Sequence, residues 1–292
     1  MTYDYRDKVI VITGGAGGIA RAFAGEAAAR GAQLALVDID GAAAGRAAAA
    51  LPGSGHRAFS GDLTDDGQTA RVLDEIAAAY ARIDVLVNNV GMTSSERFDA
   101  RSVASIRLET EVNMLSPLVL TRLALPLLHR SRDPRIVTTV SLGGIFPLGE
   151  TPIYTASKFG LRGAMLSIGL DLRRTGIRAG SVLPSATDTR MLRQEAIDGG
   201  NSLQFQDPPQ QPAAVARAMM RLLDKPRLEI YPKPSESVLI RLVMLVPNAL
   251  PTLMRAFRRR GERGMARYLE TLQREGHVVR RGDELVLAED RA

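Results

Sequence analysis

KVIVITGGAGGIA, which occupies residues 8–20, is the stretch of sequence that decides the fold. Its first part, residues 8–13, is almost entirely apolar and β-branched, so it is predicted to form a buried strand. Four glycines follow, and a helical pattern begins directly after them. Because glycine lacks a Cβ atom, the backbone N–H groups of such a turn and of the helix N-terminus can approach a pyrophosphate closely. The glycines alone also fit a tight turn that binds nothing.

Short runs of the same kind recur along the chain and alternate with longer, alanine-rich helical stretches. The predicted strands are Lys8–Thr13, Gln33–Asp38, Arg57–Asp62, Asp84–Asn88, Arg135–Ser141, Arg178–Leu183 and Leu228–Tyr231. Most of these runs are apolar on both faces, which is typical of parallel strands covered by helices on each side. Right-handed crossovers between them give an α/β fold, a doubly wound parallel sheet of about seven strands.

Asp38 stands at the end of the second predicted strand, 24 residues after Gly14. A carboxylate at this place can accept hydrogen bonds from the adenosine ribose hydroxyls of NAD and repel the additional phosphate of NADP. No arginine or lysine follows before Arg46. The sequence therefore predicts NAD(H) as the preferred cofactor over NADP(H). Asp40 can share this role or cap the helix that follows.

Polar segments also follow the third and fourth predicted strands, at the same edge of the sheet. Asp62 and Leu63 come after the third strand, where the carboxylate can meet an adenine amino group or equally form a turn. Asn88-Asn89-Val90-Gly91 ends the fourth strand. Its paired amides and its glycine suit a hydrogen-bonded wall at the edge where open α/β sheets bind ligands.

Ser141, Tyr154 and Lys158 form the strongest candidate for chemistry. Tyr154 and Lys158 are four residues apart and lie on one face if Tyr154 opens a helix. A free tyrosine is a poor base at neutral pH, but a nearby ammonium stabilises the phenolate and lowers the tyrosine pKa. Ser141 would hold the substrate oxygen within reach of Tyr154, so that hydride and proton transfer can be coupled.

In order and spacing, these residues resemble the short-chain dehydrogenase/reductase family. The matching positions are Thr13-Gly14-x-x-x-Gly18-Ile19, Asp62, Asn88-Asn89-x-Gly91, Asn113, Ser141 and Tyr154-x-x-x-Lys158. The resemblance covers roughly residues 5 to 232 and implies a single Rossmann domain with strand order 3-2-1-4-5-6-7. Small departures from the family pattern occur at Ala20, Val90 and Ser185.

The resemblance also implies residue roles. Tyr154 would be the general acid/base, Lys158 would lower its pKa and bind the nicotinamide ribose, and Asn113 would hold a water for proton relay. Thr187 and Thr189 would contact the nicotinamide carboxamide. The catalytic candidates are Ser141, Tyr154, Lys158 and Asn113, and the cofactor-binding candidates are Gly14, Gly18, Ile19, Asp38, Asp62, Leu63, Asn89, Gly91, Tyr154, Lys158, Thr187 and Thr189.

The activity that follows is an NAD(P)(H)-dependent interconversion of a primary or secondary alcohol and its carbonyl. The residues expected near the nicotinamide are mainly apolar and favour a lipophilic alcohol or ketone; they are Met92, residues 143–148, Met191 and Leu192. The alternative is a non-catalytic sensor or scaffold that binds NAD(H) on the same fold. The complete Ser-Tyr-Lys set favours the enzyme.

Composition excludes several other classes of site. The chain has 292 residues with no cysteine and three histidines, which excludes disulfides and thiolate catalysis and leaves no metal site predicted. The N-terminal residues lack the features of a secretory signal, so a cytoplasmic protein is expected. The formal charge of +6 is concentrated in residues 255–267, which hold six arginines and one glutamate. With only 4% aromatic residues, no nucleic-acid partner is expected.

The chain is predicted to consist of one domain and a C-terminal extension. Residues 1–234 form the Rossmann dinucleotide-binding and catalytic domain, in which the loop-like segment 188–213 is a candidate substrate lid. Residues 235–292 form a helical extension that is first apolar and then rich in arginine. The apolar stretch 238–254 is too short and too interrupted by prolines to span a membrane.

The extension has two interpretations. Residues 238–267 can make peripheral membrane contact, with apolar side chains at the acyl boundary and arginines at anionic headgroups. The favoured alternative is that the segment packs across the substrate entrance or against a second subunit. The family resemblance implies a homodimer or homotetramer, paired through helices around residues 103–129 and 152–174.

Overall fold

The computed structural model describes residues 2–288 and contains a seven-stranded parallel sheet in the order β3-β2-β1-β4-β5-β6-β7. The strands are β1 (Val9–Thr13), β2 (Gln33–Asp38), β3 (Arg57–Ser60), β4 (Val85–Asn88), β5 (Arg135–Thr139), β6 (Arg178–Val182) and β7 (Glu229–Ile230). The predicted fold class and strand order are confirmed. The strand order reverses between β1 and β4, and that point is where an open α/β sheet forms a ligand crevice.

Several strands end earlier than predicted. β3 stops at Ser60 and β5 at Thr139, so Asp62 and Ser141 belong to the connections beyond the strands. This shortening favours a ligand-binding site. Residues in the connections can direct their side chains into the crevice, whereas the pleat of the sheet fixes the side-chain directions of strand residues. β7 pairs with β6 through only two residues, Glu229 and Ile230.

Helices cover both faces of the sheet. They are α1 (Gly18–Ala28), α2 (Gly41–Ala49), α3 (Asp66–Tyr80), α4 (Val103–Thr110), α5 (Ser116–Leu128), α6 (Pro152–Asp171), α7 (Arg190–Ile197) and α8 (Pro212–Asp224). One core cluster joins α1, α2 and α8 to the sheet, and a second joins α3, α5 and α6 to the opposite face. The sheet is therefore buried on both sides, which explains why its strands are apolar runs without alternation.

Short polar side chains begin several of these helices. Asp40 accepts a hydrogen bond from the Ala43 N–H at 2.9 Å and caps α2, and Asp65 accepts one from the Gln68 N–H at 2.8 Å and caps α3. Both satisfy backbone donors that the first helical turn leaves unpaired. Of the two roles considered for Asp40, helix capping is the one that its contacts support.

The candidate lid, residues 188–213, contains more regular structure than its loop-like sequence indicated. It includes α7 and a 3₁₀ turn over Ser202–Phe205. Leu192, Ala196 and Phe205 form a small apolar cluster of their own. These few apolar residues lie among glycines and prolines, and their partners come from the C-terminal extension, so the local sequence gives little sign of the packing.

The extension contains α9 (Pro234–Val243), a 3₁₀ turn (Pro247–Ala249), α10 (Leu250–Arg274) and a hairpin of β8 (Val278–Arg281) and β9 (Glu284–Leu287). The helical prediction is confirmed, but the hairpin was not predicted. The available signal was Gly282-Asp283, a two-residue turn between short apolar runs, with Gly282 at φ +63°. Residues 289–292 of the predicted extension lie outside the described residues.

Two parts of residues 2–288 reach the length and apolar composition of a membrane span. One is the continuous helical stretch Val103–Leu128, nearly half of which is buried in the molecule. The other is the pair α9 and Pro247–Arg274, which bends by 95° at the break between them. Pro247 lies at the break, as expected. Pro251 lies in the first turn of α10, where proline is tolerated because a backbone N–H at that position would have no partner within the helix.

Candidate active site

The glycine-rich turn after β1 has the geometry of a phosphate cradle. Gly14 has φ +63°, a conformation that favours glycine, and a Cβ at Gly15 would lie 2.7 Å from the Leu36 Cβ. α1 starts at Gly18, and its N-cap, Gly17, makes no side-chain hydrogen bond. The first N–H groups of α1 are thus left for a ligand, and the positive end of the helix dipole favours an anion there. The turn fits the pyrophosphate of a dinucleotide.

Asp38 lies beside this cradle, where the prediction placed the adenosine ribose. Its Oδ2 accepts a hydrogen bond from the Ala16 N–H at 3.0 Å, and its Oδ1 accepts one from the Asp40 N–H at 3.1 Å. Asp38 lines the same cavity as Gly14 and Gly18. The carboxylate is therefore fixed by two backbone donors and borders the space that a nucleotide would occupy.

Asp62 and Leu63 are not part of this cavity lining. The Asp62 Oδ1 accepts hydrogen bonds from the Thr64 N–H at 2.9 Å and the Thr64 hydroxyl at 2.7 Å. Leu63 is 9% exposed and belongs to the core cluster. Of the two roles that the sequence left open for Asp62, these contacts support the turn-forming one.

Asn89, which follows β4, is hydrogen-bonded to the last residues of β1 and β5. Its N–H donates to the Thr13 hydroxyl at 2.9 Å, its Nδ2 donates to the Thr13 carbonyl at 3.3 Å, and its Oδ1 accepts from the Thr139 hydroxyl at 3.0 Å. The predicted hydrogen-bonded wall is present at the carboxyl edge of the sheet. Asn88 lies behind it and donates to Thr121 and Thr138 in the core.

Asn113 is fully buried in a π-helical turn, Glu111–Leu115, between α4 and α5. Its Oδ1 accepts from the Met92 N–H at 2.8 Å, and its Nδ2 donates to the Met92 carbonyl at 2.9 Å and the Ser157 hydroxyl at 3.2 Å. The side chain therefore fixes the loop after β4 against α6. A single π-turn inside a helix is often found at a functional site. The water-holding role expected for Asn113 stays a prediction.

The catalytic candidates Ser141, Tyr154 and Lys158 are brought together as predicted. Tyr154 lies in the first turn of α6. It faces Ser141 across Gly143, where an added Cβ would lie 3.0 Å from the Tyr154 Cε1 and 3.3 Å from the Ser141 Oγ. The Lys158 Nζ lies 5.7 Å from the centre of the Tyr154 ring and donates to the Thr139 carbonyl at 3.4 Å. A Cβ at Gly91 would lie 3.4 Å from the Lys158 Nζ. The absence of a side chain at Gly91 thus leaves room for the Lys158 ammonium at the cavity wall.

Burial dominates the electrostatics of this group. It raises the pKa of Tyr154 to about 12, while the side chain of Ser141 acts in the opposite direction. It also lowers the pKa of Lys158 to about 8, while the buried carboxylate of Glu109 acts in the opposite direction. The expectation that Lys158 holds the pKa of Tyr154 below its usual value is not met here, because desolvation of the phenolate is the larger effect. At neutral pH Tyr154 is a protonated phenol.

Glu109 is itself held by a buried ion pair. The Arg101 Nη2 lies 2.6 Å from the Glu109 Oε2, and both side chains have no exposed surface. Burial raises the pKa of Glu109, and the charges of Arg101 and Lys158 oppose this. Nothing in the sequence marks either residue as functional, since an arginine and a glutamate eight positions apart usually lie on the surface.

One cavity of about 330 Å³ collects most of the predicted site. Its lining includes Gly14, Gly18, Ile19, Asp38, Asn89, Gly91, Ser141, Tyr154, Lys158, Thr187 and Thr189. Asp62, Leu63 and Asn113 are the predicted site residues that do not line it. No cluster of three or more His, Cys, Asp or Glu side chains suited to a metal ion occurs within residues 2–288.

A second cavity of about 340 Å³ opens between the Rossmann domain and the extension. It shares Ser141, Ser185, Ala186 and Gln204 with the first cavity, so the two spaces meet at the catalytic serine. Its remaining wall is largely apolar and includes Leu142, Phe146 and Leu148 of the domain, Leu239, Ile240 and Val243 of α9, and Leu253, Met254 and Phe257 of α10.

The extension also holds the lid in place. A Cβ at Gly261 or Gly264 of α10 would collide with the carbonyl oxygens of Ser202 and Phe205 in the lid. The Tyr268 hydroxyl donates to the Asp188 Oδ1 at 2.6 Å, at the start of the lid. Backbone-to-backbone packing of this kind needs glycine at both positions. In the structure, the extension therefore packs across the entrance to the site.

Comparison with known proteins agrees with this geometry. A model of the short chain dehydrogenase family matches residues 8–198, about two thirds of the chain. The chain belongs to the short-chain dehydrogenase/reductase family. It is 28% identical over 212 residues to levodione reductase of Leifsonia aquatica, covering 71% of this chain and 77% of that protein. It is also 28% identical over 211 residues to human 15-hydroxyprostaglandin dehydrogenase [NAD(+)], covering 68% and 76%.

The fold comparison extends further along the chain. A short-chain dehydrogenase/reductase from Burkholderia phymatum, solved in complex with NAD, aligns with a TM-score of 0.76 at 24% identity and covers 82% of this chain and 94% of that one. Family membership and the relatives named as dehydrogenases and reductases make this protein an NAD(P)-binding oxidoreductase that acts on alcohol or carbonyl groups.

Proposed function

We propose that this protein interconverts a lipophilic alcohol and its ketone or aldehyde, with NAD(H) preferred over NADP(H). The observation that carries the proposal is the apolar cavity beside Ser141, which the extension closes with side chains from α9 and α10. Apolar lining stabilises a bound hydrocarbon surface by about 25 cal/mol per Å² removed from water. Charged side chains also border the cavity, namely Asp207, Lys233, Glu236 and Arg260, so the apolar area of its wall is what favours a lipophilic substrate.

The residues of the first cavity have complementary tasks. The glycine-rich turn would bind the pyrophosphate, Lys158 the nicotinamide ribose, and Thr187 and Thr189 the carboxamide; when bound, the cofactor supplies the hydride donor or acceptor. Ser141 orients the substrate oxygen. Tyr154, which is protonated at neutral pH, donates its proton to that oxygen during carbonyl reduction and takes it back during alcohol oxidation.

Substrate preference is tested by measuring NAD reduction with purified protein across primary and secondary alcohols, from short polyols to long-chain, cyclic and aromatic alcohols. We expect kcat/KM to rise with the apolar area of the alcohol, because each additional buried methylene contributes about 0.8 kcal/mol. Equal or better turnover of small polyols would contradict the lipophilic assignment. NADH binding without turnover of any alcohol would favour the sensor or scaffold instead.

Asp38→Ala is expected to weaken the preference for NAD over NADP by about two orders of magnitude. The carboxylate repels the additional phosphate of NADP and accepts hydrogen bonds from the ribose, and alanine removes both effects. The measurement is the ratio of kcat/KM with NAD to that with NADP. Asp40→Ala is the matched control, since Asp40 caps α2; an unchanged ratio in Asp38→Ala would contradict the assignment.

We also propose a homodimer or homotetramer built on α4, α5 and α6. Large apolar side chains on these helices are exposed in the single chain; they are Val103, Leu108, Leu123, Phe159 and Leu170. Exposed apolar side chains of this kind are stabilised when a second copy of the chain covers them. Light scattering coupled to gel filtration should give two or four times the chain mass of 31.5 kDa, and a monomeric mass would contradict the proposal.

A cytoplasmic protein with peripheral membrane contact is a second proposal, which rests on the outer surface of the extension. Val238, Leu242, Leu245 and Val246 are each more than half exposed on and after α9. The arginines at the start of α10, the next helix of the extension, are exposed as well. Apolar side chains with neighbouring guanidinium groups suit a bilayer of anionic lipids. Flotation with phosphatidylserine vesicles tests this contact, and protein that stays in the dense fraction at low salt would contradict it.

A further inference from the structure

Glu195 is a buried carboxyl group that the catalytic scheme does not use. It lies in α7, the helix of the lid, and is only 3% exposed. It lines the same cavity as Ser141 and Tyr154. Its negative charge raises the pKa of Tyr154, so it lies within electrostatic reach of the reacting group. The sequence gives no sign of this position, because a glutamate in a charged helix usually faces solvent.

The two oxygens of Glu195 have different surroundings. Oε1 accepts hydrogen bonds from the Gln204 Nε2 at 2.7 Å and the Asn201 N–H at 3.3 Å, both within the lid. Oε2 accepts no hydrogen bond from any residue between 2 and 288. A Cβ at Gly200 would lie 2.5 Å from the Glu195 Cγ, so the side chain is closely packed from behind. One oxygen is thus fixed by the lid, and the other is available at the cavity.

No cation pairs with this carboxylate in the described residues, and its charged neighbours are unfavourable. Burial raises the pKa of Glu195 to about 7, and the carboxylates of Glu150 and Asp198 act in the same direction. Burying a carboxylate oxygen without a hydrogen-bond donor costs desolvation free energy, and a donor that binds to it offsets this cost. A ligand that brings a hydrogen-bond donor to Oε2 would therefore be bound selectively.

We propose that Glu195 accepts a hydrogen bond from a second hydroxyl group on the substrate, so that the protein acts on an apolar alcohol or ketone with a hydroxyl some distance from the reacting carbon. The inference rests on the proposed function. It adds to the proposed function by assigning the polar end and the apolar end of the substrate to different parts of the site. The hydroxyl meets Glu195, while the hydrocarbon body occupies the cavity under α9 and α10. Gln204, which lines both cavities, lies where the two parts meet.

The test compares alkan-2-ols with the same chains carrying a second hydroxyl three to eight carbons away. The wild type and Glu195→Gln are assayed with NAD for kcat/KM. Glutamine keeps the volume of the side chain and an amide oxygen for the Asn201 N–H, but turns its NH₂ group toward the cavity. At the best spacing we expect a diol preference of about tenfold or more in the wild type. In Glu195→Gln the ratio of kcat/KM for the diol to kcat/KM for the mono-alcohol should fall by about tenfold, because an amide NH₂ group replaces the carboxylate acceptor.

A binding measurement separates this inference from the proposed function. The rise in Tm of the NADH-loaded protein on adding diol or mono-alcohol needs no turnover. A larger rise with diol, abolished in Glu195→Gln but kept in the exposed control Glu150→Gln, supports the inference even if no alcohol is oxidised. Equal responses to diol and mono-alcohol at every spacing would overturn it. An equal loss of mono-alcohol and diol activity in Glu195→Gln would also overturn it, because Glu195 would then only support the lid.

Discussion

Tyr154→Phe is expected to lower kcat for alcohol oxidation and carbonyl reduction by about a thousandfold, with the NADH dissociation constant nearly unchanged. The substitution removes only the hydroxyl of a side chain that lines the cavity beside Ser141, and a positioned acid/base group contributes about 10²–10⁴ to such a step. Steady-state rates and a fluorescence titration with NADH measure the two effects separately. This outcome would exclude the sensor as the principal role.

The matched control is Tyr80→Phe, which also removes a tyrosine hydroxyl from a structural hydrogen bond. The Tyr80 hydroxyl donates to the Gly55 carbonyl at 2.8 Å, away from the cavity. Its loss should leave kcat within about twofold of the wild type, since it touches neither substrate nor cofactor. Turnover that survives in Tyr154→Phe would mean that another group exchanges the proton.

The direction of the pH dependence follows from the same residue. Burial raises the pKa of Tyr154 to about 12, so the phenol is the prevalent form at neutral pH. Carbonyl reduction uses the phenol and is expected to proceed well at pH 6–7. Alcohol oxidation uses the deprotonated form, whose fraction increases tenfold per pH unit below the pKa. Its rate should therefore rise from pH 6 to pH 9, and a rate that falls over this range would contradict the assignment.

Lys158→Met is expected to abolish most activity and yet to stabilise the folded protein by about 2 kcal/mol at pH 7. Lys158 is 3% exposed, and the lowering of its pKa from 10.5 to about 8 corresponds to about 3 kcal/mol against the charged form in the folded state. Methionine fills the same space without this cost, although it loses the contact with Thr139. The gain corresponds to a rise in Tm of about 3 °C, and such a trade of stability for function is common at active sites.

The pH window of this effect follows from the sign of the pKa change. Below pH 8 the lysine is charged in both the folded and the unfolded chain, so the whole penalty is present. Between pH 8 and 10.5 the folded protein releases the proton first, and the penalty decreases. The difference in Tm between Lys158→Met and the wild type should therefore be largest below pH 8 and shrink by pH 10. The exposed control Lys225→Met should change Tm little, and a lower Tm in Lys158→Met would contradict the prediction.

The sheet, the glycine-rich turn and the Ser-Tyr-Lys group could be predicted because their determinants are local. Residues 8–20 carry both the apolar strand and the glycines that a close backbone approach requires. The four-residue spacing of Tyr154 and Lys158 places both on one face of α6 through helix geometry alone. Only the ends of strands such as β3 and β5 shifted, since ladder pairing between neighbouring strands decides where a strand stops.

Tertiary structure decided several other features: the raised pKa of Tyr154, the burial of Glu195 in the cavity wall, the Arg101–Glu109 pair and the cavity that the extension covers. Each depends on burial, which is set by residues far away in the chain; Gly261 and Gly264 of α10, for example, pack against the carbonyls of Ser202 and Phe205 in the lid. The sequence by itself determined which fold forms and which groups carry out the chemistry. Only the folded chain determined how strongly those groups are desolvated and which substrate shape fits the cavity. Both properties depend on contacts between segments that are far apart in the sequence.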